Sequence, residues 1–238
     1  MRLYMLGING PFPESRGATS GYLLEAGDSL IQFDLGSGVL SALTSRVAPE
    51  TLSALFFSHW HFDHAADLPV LMYRLQALGR VLPVFGPADP ESFLYRLVSS
   101  VPCFSFTEIA SGNELSVGPV KIHVSAARHP VPAVGFTASF EGKVLGYTGD
   151  TNTLPSLVDD YRSCDLLLAD GLFDRASWSP EKPHLSAELA AQLAVEAGVK
   201  RLVVTHLNPF ISRTLLLSEA RKTFLQTELA ETGVVIDL

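Results

Sequence analysis

The sequence has 238 residues, of which 47% are hydrophobic and 18% charged, so it can build a sizeable core and is not intrinsically disordered. Its 17 Lys and Arg against 25 Asp and Glu give a formal charge of −8 at pH 7, which disfavours a broad nucleic-acid-binding surface but permits a small phosphate-bearing substrate beside bound cations. The two cysteines are too few for a disulfide framework. No apolar run forms a signal peptide or approaches the ~18 residues of a membrane helix. We therefore expect a soluble cytoplasmic protein.

The first third of the chain is predicted to form a hairpin, a short helix, and a strand that leads into a longer helix. The elements are strands at 22–26, 29–36 and 53–58, a helix at 41–47, and a helix from Ala65 to about Gly79. The pair Gly27-Asp28 favours a tight turn between the first two strands. The third strand is an apolar run of the kind that is buried on both faces.

The rest of the chain continues to alternate between segments with the pattern of a strand and segments with the pattern of a helix. Strands are predicted near 82–86, 114–117, 120–126, 134–140, 143–148, 165–169 and 201–205, helices near 88–99, 185–197 and 215–231, and a last short strand in VVIDL. Many strands flanked by helices indicate two β-sheets with helices outside. With no repeat and no Gly/Ser linker, residues 1–238 are predicted to form one domain.

Four potential metal ligands are crowded into HWHFDH, where the buried strand meets the long helix: His59, His61, Asp63 and His64. Neutral imidazole and carboxylate are ordinary ligands of zinc and related divalent ions. Side chains alternate along an extended strand end, so His59 and His61 project to one side, and the turn into the helix brings the other two inward. The motif predicts two bound metals. The alternatives are a surface histidine-rich loop and a satisfied polar cluster.

Three further potential ligands, His129, Asp150 and His206, each follow a predicted strand. Active sites commonly form at one edge of a sheet, where the ends of several strands bring distant residues together. A single histidine after a strand is more often structural, but three such positions added to the cluster favour one shared site.

HWHFDH resembles the HxHxDH signature of the metallo-β-lactamase superfamily, and His129, Asp150 and His206 match the remaining ligand motifs of that family in order. The resemblance implies a four-layer αβ/βα sandwich of two mixed β-sheets with helices outside. It also implies one metal held by His59, His61 and His129, a second held by Asp63, His64 and His206, and Asp150 bridging both. The lactamases themselves usually carry Cys at the position of Asp150, so antibiotic hydrolysis is disfavoured.

Within that superfamily the chain is most similar to the ribonuclease Z-like phosphodiesterases. Their acidic motif and their loop histidine correspond to Asp170 and His184, which implies that Asp170 orients a catalytic His184. The family usually has Glu where Asp170 stands, and Asp170 is equally compatible with a turn before Gly171, as His184 is with polarity at the start of a helix. Only twenty residues separate His129 from Asp150, too few for the arm that grips tRNA, so extended tRNA binding is not supported.

Three softer signals complete the sequence reading. Asp34, after the strand at 29–36, is similar to a family position that orients metal ligands, but it also suits a turn. The stretch GATSGYLL could place Ser20 and backbone N–H groups near an anion. His123 is assigned to strand packing.

The resemblance implies a zinc-dependent phosphodiesterase that cleaves small phosphodiesters, cyclic nucleotides or short RNA by attack of a hydroxide held between two divalent ions, with Mn²⁺ as the alternative metal. Asp63 would orient that hydroxide, and His184 would stabilise developing charge or protonate the leaving oxygen. Two alternatives stay open. One is a thioester or lactone hydrolase on the same metals. The other is a non-catalytic metal sensor or a di-iron redox protein, and His61 argues against the di-iron protein. Relatives are often homodimers.

Overall fold

The computed structural model describes residues 1–238 and contains fourteen β-strands and seven α-helices. The strands are β1 (Arg2–Gly7), β2 (Gly21–Ala26), β3 (Ser29–Phe33), β4 (Ala54–Phe56), β5 (Leu82–Pro87), β6 (Phe104–Ile109), β7 (Glu114–Val117), β8 (Val120–Ala126), β9 (Val134–Phe140), β10 (Lys143–Tyr147), β11 (Leu166–Asp170), β12 (Leu202–Thr205), β13 (Thr227–Leu229) and β14 (Val235–Asp237). The helices are α1 (Val39–Thr44), α2 (Phe62–Ala65), α3 (Leu68–Leu78), α4 (Phe93–Ser100), α5 (Leu157–Asp160), α6 (Ala187–Glu196) and α7 (Arg213–Thr223), and a 3₁₀ turn spans Pro49–Thr51. None of the helices is long and apolar enough to cross a membrane.

The strands form two seven-stranded sheets that are built alike. Their orders are β14-β1-β2-β3-β4-β5-β6 and β13-β12-β11-β10-β9-β8-β7. In each sheet one half is antiparallel and the other half is parallel, with β3 and β10 at the junctions. The predicted pair of mixed sheets is therefore confirmed.

The main core lies between the two sheets, and a smaller one lies between the first sheet and its helices. Alternation along β4 shows this directly, because Phe56 belongs to the main core whereas Leu55 packs with the apolar face of α3. Phe136 of the second sheet meets Phe33 and Phe56 of the first at ring-centroid distances of 5.4 and 5.5 Å. Burial of each such ring stabilises the fold by roughly 2–3 kcal/mol, and the predicted sandwich with helices outside is confirmed.

The structure corrects the sequence reading at several elements. Strands β1 and β6 were not predicted, and the helix predicted at 215–231 ends at Thr223, where Phe224 adopts an extended conformation and β13 follows. Strand β13 has only three residues and pairs in parallel with β12 at the sheet edge, so its conformation is set by that pairing and carries no alternating pattern of its own. The helix predicted from Ala65 already begins with α2 at Phe62.

The fold brings the ends of distant strands to one edge. Strands β10, β11 and β12 are parallel neighbours, so their carboxyl ends lie side by side. Asp170 is the last residue of β11, and Asp150 and His206 follow β10 and β12. Strand β4 of the other sheet ends just before His59. The site is therefore built at the carboxyl ends of strands from both sheets, and these include β8, which precedes His129 and lies in the antiparallel half of the second sheet.

Candidate metal centre

The first proposed ligand set consists of His59, His61 and His129. Each offers one ring nitrogen, and these three nitrogens lie within 4.8 Å of one another. His61 Nδ1 is 3.0 Å from His59 Nε2 and 3.2 Å from His129 Nε2. His129 Nδ1 donates to the carbonyl of Pro183 at 3.2 Å, because a carbonyl can only accept. In the neutral ring, His129 Nε2 therefore presents a lone pair to His61.

His129 is kept neutral by its surroundings. Burial lowers its pKa, and this effect together with the nearby His184 and His61 outweighs the opposing charge of Asp150, so that the pKa falls to about 4. Burial and the neighbouring His64 likewise hold the pKa of His59 well below its ordinary value. Neutral imidazoles with converging lone pairs are the form in which histidine binds metal ions.

The second set consists of Asp63, His64, Asp150 and His206, again with donor atoms within 4.8 Å of one another. His206 Nε2 lies 3.1 Å from Asp63 Oδ2 and 3.4 Å from Asp150 Oδ2. Asp150 Oδ2 is also 3.2 Å from His64 Nε2 and 3.6 Å from His59 Nε2. This one oxygen therefore lies between the two sets. Asp63 and His64 project from the first turn of α2 rather than from a loop.

Both sets fit a divalent cation. Metal–nitrogen bonds of about 2.0–2.1 Å in tetrahedral arrangement separate neighbouring ligand atoms by about 3.3 Å, and the donor separations of 3.0–3.6 Å given above bracket that value. The negative charge of the nearby carboxylates also favours a bound cation. Burial lowers the pKa of His64, but Asp150, Asp34 and Asp63 outweigh it and raise that pKa well above its ordinary value, so these carboxylates draw positive charge into the centre.

Asp34 lies directly beneath this centre and orients His64. Its Oδ2 is 2.8 Å from His64 Nδ1 and accepts from the Tyr147 hydroxyl at 2.5 Å and from Ser58 Oγ at 2.8 Å, while its Oδ1 accepts from the Ser58 amide at 2.8 Å. The contact with Asp34 fixes the tautomer of His64 that turns Nε2 toward the other donors. Ser20 contributes less, since its Oγ is 3.5 Å from His64 Nε2.

Asp170 and His184 form a buried pair beside the second set. His184 Nδ1 and Asp170 Oδ2 are 2.8 Å apart, so these atoms are committed to each other although both could in principle ligate. Asp170 Oδ1 also accepts from the Leu172 amide at 3.1 Å, which makes it the turn residue as well as the partner of His184. His184 is not the N-cap of α6, because Ser186 accepts the capping hydrogen bond from Leu189.

The pKa of His184 is raised above its ordinary value. Burial lowers its pKa, but the charges of Asp170 and Asp150 and the hydrogen bond to Asp170 outweigh that effect and raise the pKa to about 9. Its ring stacks on that of His206 with centroids 4.9 Å apart. With Nδ1 held by Asp170, Nε2 is the nitrogen that can donate a proton.

The structure thus brings all nine predicted site residues into one pocket: His59, His61, Asp63, His64, His129, Asp150, Asp170, His184 and His206. His123 lies apart on β8, where it pairs with Glu114 at 2.7 Å. The sequence reading missed Ser58 and Tyr147, although both lie within three residues of a predicted ligand. It also missed Gly10, for which no motif gave a signal.

Gly10 packs against His206 so closely that a side chain cannot be accommodated. A Cβ at this position would lie 2.1 Å from His206 Nε2. We expect Gly10→Ala to displace the His206 ring and to lower the free energy of unfolding by roughly 1–3 kcal/mol, as overpacking does elsewhere. Denaturant unfolding and a crystal structure of the variant check both expectations.

Gly79→Ala is the control for this variant, because Gly79 has a φ of 59° and no atom within 4 Å of an added Cβ. It costs stability through backbone strain alone, by about 1 kcal/mol. An unmoved His206 in Gly10→Ala would contradict the account.

Known proteins resemble this chain over nearly its whole length. The family model for the Beta-lactamase superfamily domain matches residues 22–207. The "Probable metallo-hydrolase YhfI" of Bacillus subtilis is 31% identical over 99% of both chains, and the crystal structure of YhfI superposes with a TM-score of 0.93 over 99% of this chain and 98% of that one. "Ribonuclease Z" of Methanosarcina acetivorans is 24% identical over 97% of this chain and 96% of its own.

A human structure extends the likeness in fold. The short form of human tRNase Z superposes with a TM-score of 0.81 at 20% identity, covering 100% of this chain and 99% of that one. Given the matched family model, the relatives and the clustered His and Asp side chains, the chain belongs to the metallo-β-lactamase superfamily of metallo-hydrolases.

Proposed function

We propose that residues 1–238 form one catalytic domain, a divalent-metal-dependent phosphodiesterase acting on small phosphodiesters, cyclic nucleotides or short RNA. The observation that carries the proposal is the His184 imidazole, held through Nδ1 by Asp170 at 2.8 Å beside two sets of metal donors. A phosphodiester needs an anion-binding centre and a proton donor for its leaving oxygen, and these groups supply both. The relatives named Ribonuclease Z support the same class of substrate.

The residues are proposed to hold two ions, one by His59, His61 and His129 and the other by Asp63, His64 and His206, with Asp150 shared. When bound, such ions supply a hydroxide nucleophile near neutral pH and polarise a phosphoryl oxygen. The imidazole-rich donor sets favour Zn²⁺ over Mn²⁺.

The side chains divide the remaining work. Burial raises the pKa of Asp63, but His64 and the hydrogen bond with His206 outweigh it and lower that pKa, so this carboxylate is suited to accept a hydrogen bond from the attacking water and to orient it. His184 donates from Nε2 to the oxygen that gains charge as the ester bond breaks, and passes its proton to that oxygen. Asp170 keeps the ring turned for this transfer.

The second sheet carries no long insertion between His129 and Asp150. The residues between His129 and Asp150 form the hairpin of β9 and β10, which is paired into the sheet from Phe136 to Tyr147. The proposal therefore covers small diesters and short RNA ends rather than an extended tRNA grip.

The direct test is turnover of bis(p-nitrophenyl) phosphate beside p-nitrophenyl acetate and an aryl thioester. The protein loaded with Zn²⁺ is expected to cleave the phosphodiester with the highest kcat/KM, and the chelator-treated protein to cleave none. Preference for the ester or thioester would contradict the proposal and favour carboxylic chemistry on the same residues.

Asp34→Asn is expected to weaken zinc binding by about 10–100-fold, as loss of an orienting partner does at other metal sites. The amide of Asn cannot replace the carboxylate, since donors converge on both oxygens of Asp34 and its NH₂ would oppose one of them in either orientation. Equilibrium dialysis against Zn²⁺ measures the change. Asp165→Asn is the control, because it removes a carboxylate that pairs with Lys200 away from the site. Equal zinc affinity in both variants would contradict the role of Asp34.

A further inference from the structure

A second pocket opens beside the metal centre and shares His61 with it. Its volume is about 300 Å³, and the residues that matter here are Trp60, His61, Phe62, Asp89, Glu91 and Phe93. They come from the two stretches of chain that lead into α2 and α4, together with the first residue of each helix. We call it the His61 pocket.

Trp60 forms a fixed wall of the His61 pocket. It is only 3% exposed, and its indole N–H donates to the carbonyl of Pro87 at 2.8 Å. Gly86 lies against the ring so closely that a Cβ there would be 2.5 Å from it. The wall is therefore preformed, which lowers the entropic cost of binding a ligand against it.

Two phenyl rings stand exposed at the His61 pocket. Phe62 is 68% exposed and Phe93 is 59% exposed. Apolar rings gain free energy when another surface covers them, and a planar ring system is the ligand that covers a phenyl face most completely. Stacking of this kind is how proteins hold unpaired bases of any sequence.

Asp89 adds a polar requirement. It is 8% exposed and lines the pocket, and its carboxylate forms no ion pair and no hydrogen bond with the chain, so its oxygens are free to accept from solvent or from a ligand. Glu91 lines the same pocket, and no Lys or Arg does. A ligand here must bring hydrogen-bond donors and must not place a phosphate beside these carboxylates.

We propose that the His61 pocket binds the base of a nucleotide substrate and selects bases that carry an amino group. This inference rests on the proposed phosphodiesterase function, in which the phosphate lies at the adjacent metal centre. The amino groups of adenine and cytosine are donors that Asp89 can accept from. Uracil has no amino group, and its single ring N–H lies between two carbonyl oxygens. The Asp89 carboxylate repels these two oxygens.

The test uses p-nitrophenyl esters of adenosine, cytidine and uridine 5′-phosphates, with methyl and choline p-nitrophenyl phosphates as esters that lack a base. Wild-type protein is expected to favour adenosine and cytidine over uridine by about tenfold in kcat/KM, the effect of one hydrogen bond to a charged group. Asp89→Asn is expected to remove that preference, because an amide can also donate to a uracil carbonyl. Phe93→Ala is expected to lower kcat/KM for all three nucleoside esters relative to the methyl ester, without changing the order of the three.

The control is Tyr73→Ala, which removes another aromatic ring that is 68% exposed but lies outside the pocket, and which is expected to change none of these ratios. Equal kcat/KM for adenosine and uridine esters would overturn the inference and leave the phosphodiesterase proposal intact. A preference for the choline ester over the adenosine ester would also overturn it, by assigning the pocket to organic cations.

Binding of free nucleosides gives a readout that does not depend on catalysis. Calorimetric titration of adenosine and uridine is expected to rank adenosine first, and Asp89→Asn to abolish the difference. If that ranking held while no diester were cleaved, the proposed function would fail and the base pocket would stand. Equal binding of the two nucleosides would overturn the proposal that the His61 pocket selects bases with an amino group.

Discussion

Replacement of His184 by alanine is expected to lower kcat about 10²–10⁴-fold on a diester with an alkoxide leaving group, the range expected for loss of a general acid. The bound zinc is expected to stay at the wild-type level, because His184 Nδ1 is already engaged by Asp170 at 2.8 Å. The loss should be smaller with a p-nitrophenolate leaving group, which departs without a proton. Steady-state kinetics on both esters, with zinc measured in the same samples, gives the comparison.

His123→Ala is the matched control, because His123 of β8 pairs with Glu114 of β7 away from the metal centre. It is expected to change neither kcat nor zinc content. Equal losses of His184→Ala on the two esters would show that His184 does not protonate the leaving oxygen. Loss of zinc in that variant would make His184 a ligand instead.

Replacement of Asp150 by alanine is expected to weaken binding of both ions by more than the roughly 10–100-fold expected for an orienting residue, and to reduce phosphodiesterase activity to that of the metal-free protein. The reason is geometric, since Asp150 Oδ2 lies within 3.6 Å of His59, His64 and His206 nitrogens from both donor sets. Zinc titration of the variant measures the number and affinity of sites.

Asp165→Asn again serves as the control for loss of one carboxylate. A variant that kept two zinc ions of wild-type affinity without Asp150 would contradict the sharing of this side chain. Retention of one ion would mean that Asp150 serves a single set.

The clustering of three proposed ligands, His129, Asp150 and His206, could be predicted from the sequence because each follows a strand and these strands end at one edge of their sheet. His129, Asp150 and His206 are separated by long stretches of chain, yet the pattern of strands placed them together. Asp34 and Asp170 each allow two interpretations from the sequence, and Asp170 makes both kinds of contact in the structure, since it accepts from the Leu172 amide in a turn and pairs with His184.

The parts that could not be predicted depend on contacts between distant segments. Tyr147 reaches Asp34 across the two sheets, and nothing in GYTGD indicates which residue its hydroxyl will meet. Gly10 is required only because His206 packs against it. The sequence predicts a helix where strand β13 lies, because the three residues of β13 owe their conformation to pairing with β12.

The central claim is that seven side chains hold two metal ions in one pocket. Crystals grown with Zn²⁺ and measured on both sides of the zinc absorption edge test it most directly. The account predicts two anomalous peaks, one among His59, His61 and His129 and the other among Asp63, His64 and His206, with Asp150 between them. Zinc peaks elsewhere on the surface, with none in this pocket, would contradict it.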